Sequence, residues 1–462
     1  MAYKTFQYNN YYFIGIGGIG MSALARYFKS RGYFVAGYDR TPSDLTADLE
    51  RDGIIVEYND VASSIPEKCQ SPSNTLVIRT PAVPESSTIY QYFLNGNFKV
   101  CKRAEVLGDL SRMGNSLCVA GTHGKTSTST ILTHLLNQSE IGCNAFLGGI
   151  SKNYKTNLMI NPNSNYIVVE ADEYDHSFLQ LSPYLAIITS IDPDHLDVYG
   201  SKEGFFKGFF DFMSLVKPGG SIIIHNGLPL SDNLAKDVRV YRYGIGEQGN
   251  DFYAENITIN NGQIHFDFFT PTESIHNLQL GAPTVVNIEN SVAAMAAAWL
   301  NGVTTGELRF GLSSYSGVNR RFETCYSDSD ITYIDDYAHH PSEIAATINS
   351  VRQLYKDKSI VGIFQPHLYS RTRDFADGFA RELSKLDEAI LLPIYPAREE
   401  PIEGISSNTI YEKLTCTKKS LIGKDEVLPF VEGLHNCVLL TLGAGDIDRF
   451  VKKITKTLQS RK

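Results

Sequence analysis

An apolar run from Leu117 to Ala120 leads straight into Gly121-Thr122-His123-Gly124-Lys125-Thr126, and the stretch after it, Ser127 to Leu136, reads as a helix. A strand that turns through glycines into a helix constrains the backbone closely. Glycine allows the chain to bend sharply there and lets several N–H groups converge on one point. The positive end of the following helix faces the same point. Lys125 adds a mobile cation, while Thr126 and Ser127 add hydroxyls next to it. Residues 121–127 are therefore expected to hold a nucleotide triphosphate, with the Thr126 hydroxyl turned to a magnesium ion. The general phosphate-loop pattern is matched incompletely, because Val119 stands where its first glycine belongs. A glycine turn that serves packing alone is the alternative.

At 462 residues the chain is long for one core, and two or three domains are expected. A composition of 42% apolar and 20% charged residues fits a globular protein rather than a disordered or fibrous one. The 42 basic and 51 acidic side chains leave a formal charge of −9, which gives no support to nonspecific nucleic-acid binding. No run of apolar residues is long enough for a membrane span, and the first residues lack the pattern of a secretory signal. The seven cysteines have no paired spacing and read as thiols of a reducing compartment, Cys118 as a core residue. A cytoplasmic enzyme is the expectation.

Three α/β regions follow from the apolar runs. In the first, the strand Tyr11–Ile14 turns through Gly15-Ile16-Gly17-Gly18-Ile19-Gly20 into a helix near Met21, and Phe34–Asp39 forms the next strand. Asp39 falls where an acid would meet a ribose, so this unit suits either a dinucleotide or a uridine diphosphate. Strands are also expected at Thr75–Ile78 and near Lys99–Cys101. The second region adds strands at Tyr166–Glu170, Leu185–Ser190 and Ser221–His225, a small β excursion over Asp251–Pro271 and a helix over Asn290–Leu300. The third contains strands at Ile331–Asp335, Ile360–Phe364, Ala389–Leu392 and Cys437–Thr441, with helices near 342–355 and 374–386. Apolar strands alternating with helices predict mainly parallel sheets, whose ligands gather at the carboxyl ends of the strands.

Polar groups recur at those ends. Glu170-Ala171-Asp172-Glu173-Tyr174-Asp175 closes one strand, and Asp192-Pro193-Asp194-His195 follows another. Glu170 could hold magnesium with Thr126 and His195, whereas Glu173 and Asp175 read equally well as an acidic surface turn. Arg320-Arg321 follows Gly317 and could clamp phosphate, or stand as a solvated basic pair. Asp336-Tyr337-Ala338-His339-His340 and Gln365-Pro366-His367-Leu368-Tyr369-Ser370-Arg371 leave two further strands. Asp336 could accept from ribose hydroxyls and Arg371 could bind a carboxylate with His367 beside it. Capping and loop packing are the simpler roles.

In this order, the glycine turn, the phosphate loop, the acidic cluster, Asp194-His195-Leu196-Asp197, Asn287 with Asn290, Arg320-Arg321, Asp336 through Pro341 and Pro366 through Arg373 resemble the motifs of the ATP-dependent Mur ligases. The resemblance covers all three regions. It implies a Rossmann-like N-terminal domain for the UDP substrate (1–107), a central P-loop ATPase domain (108–315) and a Rossmann-like C-terminal domain contacting amino acid and nucleotide (316–462). It implies ATP and magnesium as cofactors, UDP-N-acetylmuramate and L-alanine as partners, no nucleic acid and no stable membrane insertion. By that resemblance Gly17, Gly18, Ile19, Gly20 and Asp39 hold the UDP substrate. Gly121, Thr122, His123, Gly124, Lys125, Thr126, Ser127, Asn287, Asn290, Arg321 and Asp336 contact the nucleotide, and Thr126, Glu170 and His195 organise the metal. Tyr337, His339, His367 and Arg371 line the alanine side, and Lys125, His195, His339 and Arg371 are the catalytic candidates.

The same resemblance implies that ATP activates the lactyl carboxylate of UDP-N-acetylmuramate as an acyl phosphate, which alanine attacks to give an amide, ADP and phosphate for peptidoglycan precursor synthesis. Three departures stand out. Val286 replaces a histidine, Leu368 replaces an arginine of some relatives, and no lysine, Lys207 included, is assigned as the carbamylated lysine of sister ligases. A related ligase that adds a preformed peptide shares several motifs, but Gly17 through Ser22 and Asp194 through Tyr199 favour alanine addition. A nicotinamide-dependent oxidoreductase would explain only the first region, and a noncatalytic nucleotide-switched module is the third reading. The identity of the amine's proton acceptor stays open.

Overall fold

The structure is a computed structural model and describes residues 4–194, 196–260, 262–397 and 399–461. The chain divides into two compact units. One comprises Met1–Glu255, Phe268–Ile275 and Asn290–Tyr315, the other Asn256–Asp267, His276–Glu289 and Ser316–Lys462.

The first unit contains a five-stranded parallel sheet in the order Ile55–Glu57, Phe34–Tyr38, Asn10–Ile14, Thr75–Arg79, Lys99–Lys102. All residues of Asn10–Ile14 are buried, as a central strand covered on both faces requires. The strand order reverses beside it, so the glycine turn after Ile14 lies at a switch point, where crevices form. The helix Ile19–Ser30 leaves that turn, and Asn157 ties it to a second sheet by donating to Ile19 O (2.5 Å) and Ser22 Oγ (3.0 Å).

In this unit the second sheet runs Arg239–Ile245, Ser221–His225, Leu185–Ile188, Asn115–Ala120, Tyr166–Glu170, Asn144–Ser151, Thr156–Met159. Its strands are parallel apart from the last pair. The phosphate-loop strand thus has strands ending at Ile188 and Glu170 on either side. Cys118 is fully buried in it. The β excursion consists of Phe252–Asn260, Gln263–Phe269 and Ser274–Gln279.

The second unit is built on the sheet order Glu323–Ser327, Ile331–Asp336, Cys437–Leu442, Ser359–Phe364, Glu388–Leu391, Lys418–Leu421, antiparallel only in the first pair. Alternate strand residues enter different cores. Ile334, Phe364 and Leu440 pack with Ile348 and Phe379, whereas Tyr333, Ile363 and Leu439 pack with Ile447 and Ile454. Double coverage explains why these strands read as unbroken apolar runs.

Two helices begin earlier than the residues suggest. The helix expected from Asn290 spans Val285–Leu300, and the Thr284 hydroxyl accepts from Asn287 N–H (3.2 Å) at its start. The helix expected over 374–386 spans Tyr369–Leu383, so Arg371 lies in its first turn instead of a loop.

Candidate active site

The phosphate loop is held open by its neighbours. Gly121 has φ +142°, and a Cβ there would fall on the Thr189 hydroxyl, so only glycine fits. Thr122 N–H donates to Ser190 O (3.2 Å), His123 N–H to Ser190 Oγ (2.8 Å), and the Thr122 hydroxyl to Asp192 O (2.7 Å). The helix Lys125–Asn137 starts directly behind, with Ser127 in its first turn. Asn290 sits against it, accepting from the Thr128 hydroxyl at 3.2 Å.

Lys125 Nζ donates to Gly121 O (2.6 Å) and Glu173 Oε1 (2.9 Å). Burial opposes its charge, but Glu173, Asp172 and Glu170 outweigh that and hold the ammonium above its ordinary pKa. Thr126 Oγ1 donates to Glu170 Oε1 at 3.0 Å, and Gly148 N–H donates to Glu170 Oε2 at 3.1 Å. A Cβ on Gly148 would collide with that carboxylate, so the strand Asn144–Ser151 cradles Glu170 by having a glycine there. Lys125, Thr126 and Glu170 are therefore brought together. His195, expected to complete this set, lies outside the described residues.

Glu173 is not the surface acid that its sequence allowed. It is 2% exposed and turned onto Lys125, because the turn Tyr174–Gln180 folds the acidic segment back over the loop. Asp175 remains at the surface side, paired with Lys102 at 2.8 Å.

A cavity of about 260 Å³ joins the glycine turn to the acidic segment at Glu170 and Asp172. Gly18, Ile19, Gly20, Arg103, Gly148 and Glu170 are among its lining residues. Arg103 lies 3.5 Å from Asp172 across it. Asp39 faces the glycine turn, its carboxylate accepting from Gly17 N–H (2.8 Å) and Thr41 N–H (3.1 Å). Arg103 and Gly148 carried no motif. The only signals were a basic pair after a strand and a paired glycine in an apolar run.

In the second unit, Asn287 donates to Ala282 O at 3.0 Å and Val286 before it is exposed. Arg320 is consumed internally, donating to Asp335 (3.2 Å) and Gly443 O (2.6 Å). Both arginines lie over the Tyr337 ring, Arg320 at 5.2 Å and Arg321 at 5.1 Å, and Arg321 has Glu343 at 4.0 Å. Asp336 is buried, accepts from Thr347 Oγ1 (2.5 Å), and has its pKa pushed up to about 6 chiefly by burial. Tyr337, His339 and His367 form a run of rings with centroid spacings of 5.2 and 6.2 Å. Burial, with Arg371 adding and Glu343 opposing, lowers the His339 pKa and favours a neutral ring. The Arg371 guanidinium makes no hydrogen bond or ion pair among the described residues, which leaves a cation beside this ring cluster. Leu368 caps that helix with φ +69°, a strained value for a branched residue.

Three family models match successive segments: the Mur ligase family, catalytic domain at 10–114, the Mur ligase middle domain at 119–298 and the Mur ligase, glutamate ligase domain at 320–445. A UDP-N-acetylmuramate–L-alanine ligase of Phocaeicola vulgatus is 51% identical over 97% of this chain and 98% of its own length. The chain belongs to the Mur ligase family. The same-named ligase of Porphyromonas gingivalis is 50% identical over 97% of this chain and 99% of its own. The solved UDP-N-acetylmuramate-alanine ligase of Thermotoga maritima superposes with a TM-score of 0.83 at 26% identity, covering 98% of this chain and 100% of that one. A murein peptide ligase of Psychrobacter arcticus shares the fold at 20% identity, TM-score 0.69, over 97% and 98% of the two chains. The architecture is thus the three-domain α/β arrangement of Mur ligases, and the central fold implies use of a nucleotide. Among the described residues no helix is long and apolar enough to cross a membrane.

Proposed function

We propose that this Mur ligase joins L-alanine to the lactyl carboxylate of UDP-N-acetylmuramate at the expense of ATP. The carrying observation is the cavity that runs from the glycine turn at Gly18–Gly20 to Glu170, beside the loop that bears Lys125 and Thr126. A sugar nucleotide in that cavity would extend its acid toward a bound triphosphate. The names of the relatives cited above supply the substrates. A carboxylate reacts poorly with an amine because oxide is a poor leaving group. Transfer of the terminal phosphate of ATP gives an acyl phosphate and ADP. The amine of alanine then displaces phosphate to form the amide. Lys125 and the N-terminus of its helix meet the transferring phosphate, and catalysis rests on positioning and charge stabilisation.

The paired oxygens of Thr126 and Glu170 are hard donors of the kind magnesium takes, and with His195 they would hold the ion. When bound, magnesium supplies positive charge that offsets phosphate repulsion. Residues 1–107 are assigned to the UDP portion, 108–315 to ATP, and 316–462 to contacts with the amino acid and nucleotide, through Asp336, Arg321, Tyr337, His339, His367 and Arg371. Asn287 and Asn290 are assigned to the adenine side. The reaction belongs to cytoplasmic synthesis of peptidoglycan precursors.

The test incubates the full chain with ATP, magnesium, UDP-N-acetylmuramate and single amino acids, and weighs the product. An alanyl amide formed with one ADP per bond is expected. Product only with a preformed peptide would move the assignment to the peptide-adding ligases, and no product with any amine would refute it.

A further inference from the structure

We propose that Glu173 is a positioning residue for Lys125: a buried carboxylate on an anchored backbone that holds the ammonium at the phosphate loop and competes with nucleotide phosphates for it. The inference rests on the reading of residues 121–127 as the ATP site. An ammonium has three N–H donors. Those of Lys125 meet Gly121 O at 2.6 Å, Thr122 O at 3.3 Å and the Glu173 carboxylate, whose two oxygens lie 2.9 and 2.8 Å away. The two side chains are only 14% and 3% exposed, so water screens the pair weakly.

The backbone that carries this carboxylate is fixed from behind. Tyr199 Oη donates to Glu173 O at 2.6 Å and His176 N–H to the same carbonyl at 3.1 Å. Asp175 and His176 carry φ of +52° and +54°, two successive left-handed residues without a glycine. Such a backbone persists only where its surroundings impose it. Here Lys102 holds Asp175 at 2.8 Å, and Phe178 N–H closes the turn on Asp172 O at 2.9 Å. Lys125, by contrast, has a long side chain whose direction is set by its acceptors. A phosphate arriving at the loop must take or share a donor that Glu173 holds. Glu173 thereby weakens the grip on ATP and on ADP alike, which favours exchange of nucleotide between turnovers.

Direct titration of the full chain with ATP and with ADP, in magnesium, tests this. Glu173→Gln keeps the shape and removes the charge, so both dissociation constants should fall about fivefold. The Michaelis constants for sugar nucleotide and alanine should stay at the parent values. Glu173→Asp, which withdraws the carboxylate by one carbon, should move both nucleotides in the same direction and carries the test if the Gln variant does not fold. In a Lys125→Met background the Glu173→Gln effect should vanish, a non-additivity that a packing role would not produce. Unchanged or weaker nucleotide binding by folded Glu173→Gln overturns the proposal, as does an equal effect without Lys125. If the parent chain binds nucleotide but forms no amide, the ligase reading fails and this one stands. If the parent binds no nucleotide, both fail.

Discussion

Lys125 shows how a residue of known type can have an unforeseen partner. Its place after two glycines was legible, because phosphate loops depend on local backbone and a short motif. Glu173, which meets it at 2.8 Å, comes from a segment far along the chain, and nothing local distinguishes a buried acid from a surface one. Lys125→Ala should lower kcat by about 10²–10³-fold, the usual cost of removing one donor from a developing charge, while circular dichroism and melting stay near the parent. Asp336 gives a second expectation. Its folded pKa of about 6 lies above the value of 3.8 for a free carboxyl, so the folded state binds the extra proton. That stabilisation is fully present below pH 3.8 and is lost as pH rises through 6. Asp336→Asn, which stays neutral, should therefore be more stable than the parent at pH 7 by up to about 3 kcal/mol and match it near pH 4, measured by urea unfolding.

At the scale of elements, the strands were read closely because an apolar run bounded by turn residues suffices to mark a doubly covered parallel strand. Tyr166–Glu170 and Ser221–His225 have the expected bounds. Helix starts were read less well. Thr284 as a cap and Leu368 with a positive φ are set by what surrounds them, and each begins its helix ahead of the periodic apolar residues. The strand Asn144–Ser151 has no continuous apolar signature because paired glycines break its pattern, yet it positions Glu170. Gly148→Ala would put a methyl group on that carboxylate. It should lower turnover about tenfold or more and raise the magnesium concentration needed for half-maximal rate, as loss of a group supporting a metal ligand does. Equal magnesium dependence in parent and variant would remove the role given to that strand.

For the whole molecule, acid stability should reflect a histidine that serves no chemistry. His134 is 2% exposed within the first unit, between Tyr154 Oη and Ser314 Oγ at 2.9 Å each, and burial lowers its pKa to about 4. The folded state therefore refuses a proton that the unfolded chain takes up near pH 6.5. Stability is unaffected above that pH and falls by up to about 3 kcal/mol as pH drops toward 4. His134→Gln should flatten this limb in urea unfolding between pH 7 and 4.5, and a limb of parental slope would refute the assignment. By itself the sequence determined the strand–glycine–helix units, the parallel sheets and the residue types gathered at their strand ends. These depend on backbone sterics and apolar periodicity, which act over a few residues. Only the tertiary structure decided which polar groups meet. Glu173 closes on Lys125, Arg320 is spent on Asp335, and Gly148 makes room for Glu170. Each pairing joins residues distant in the chain, and the energy of a buried charge depends on what the fold sets against it.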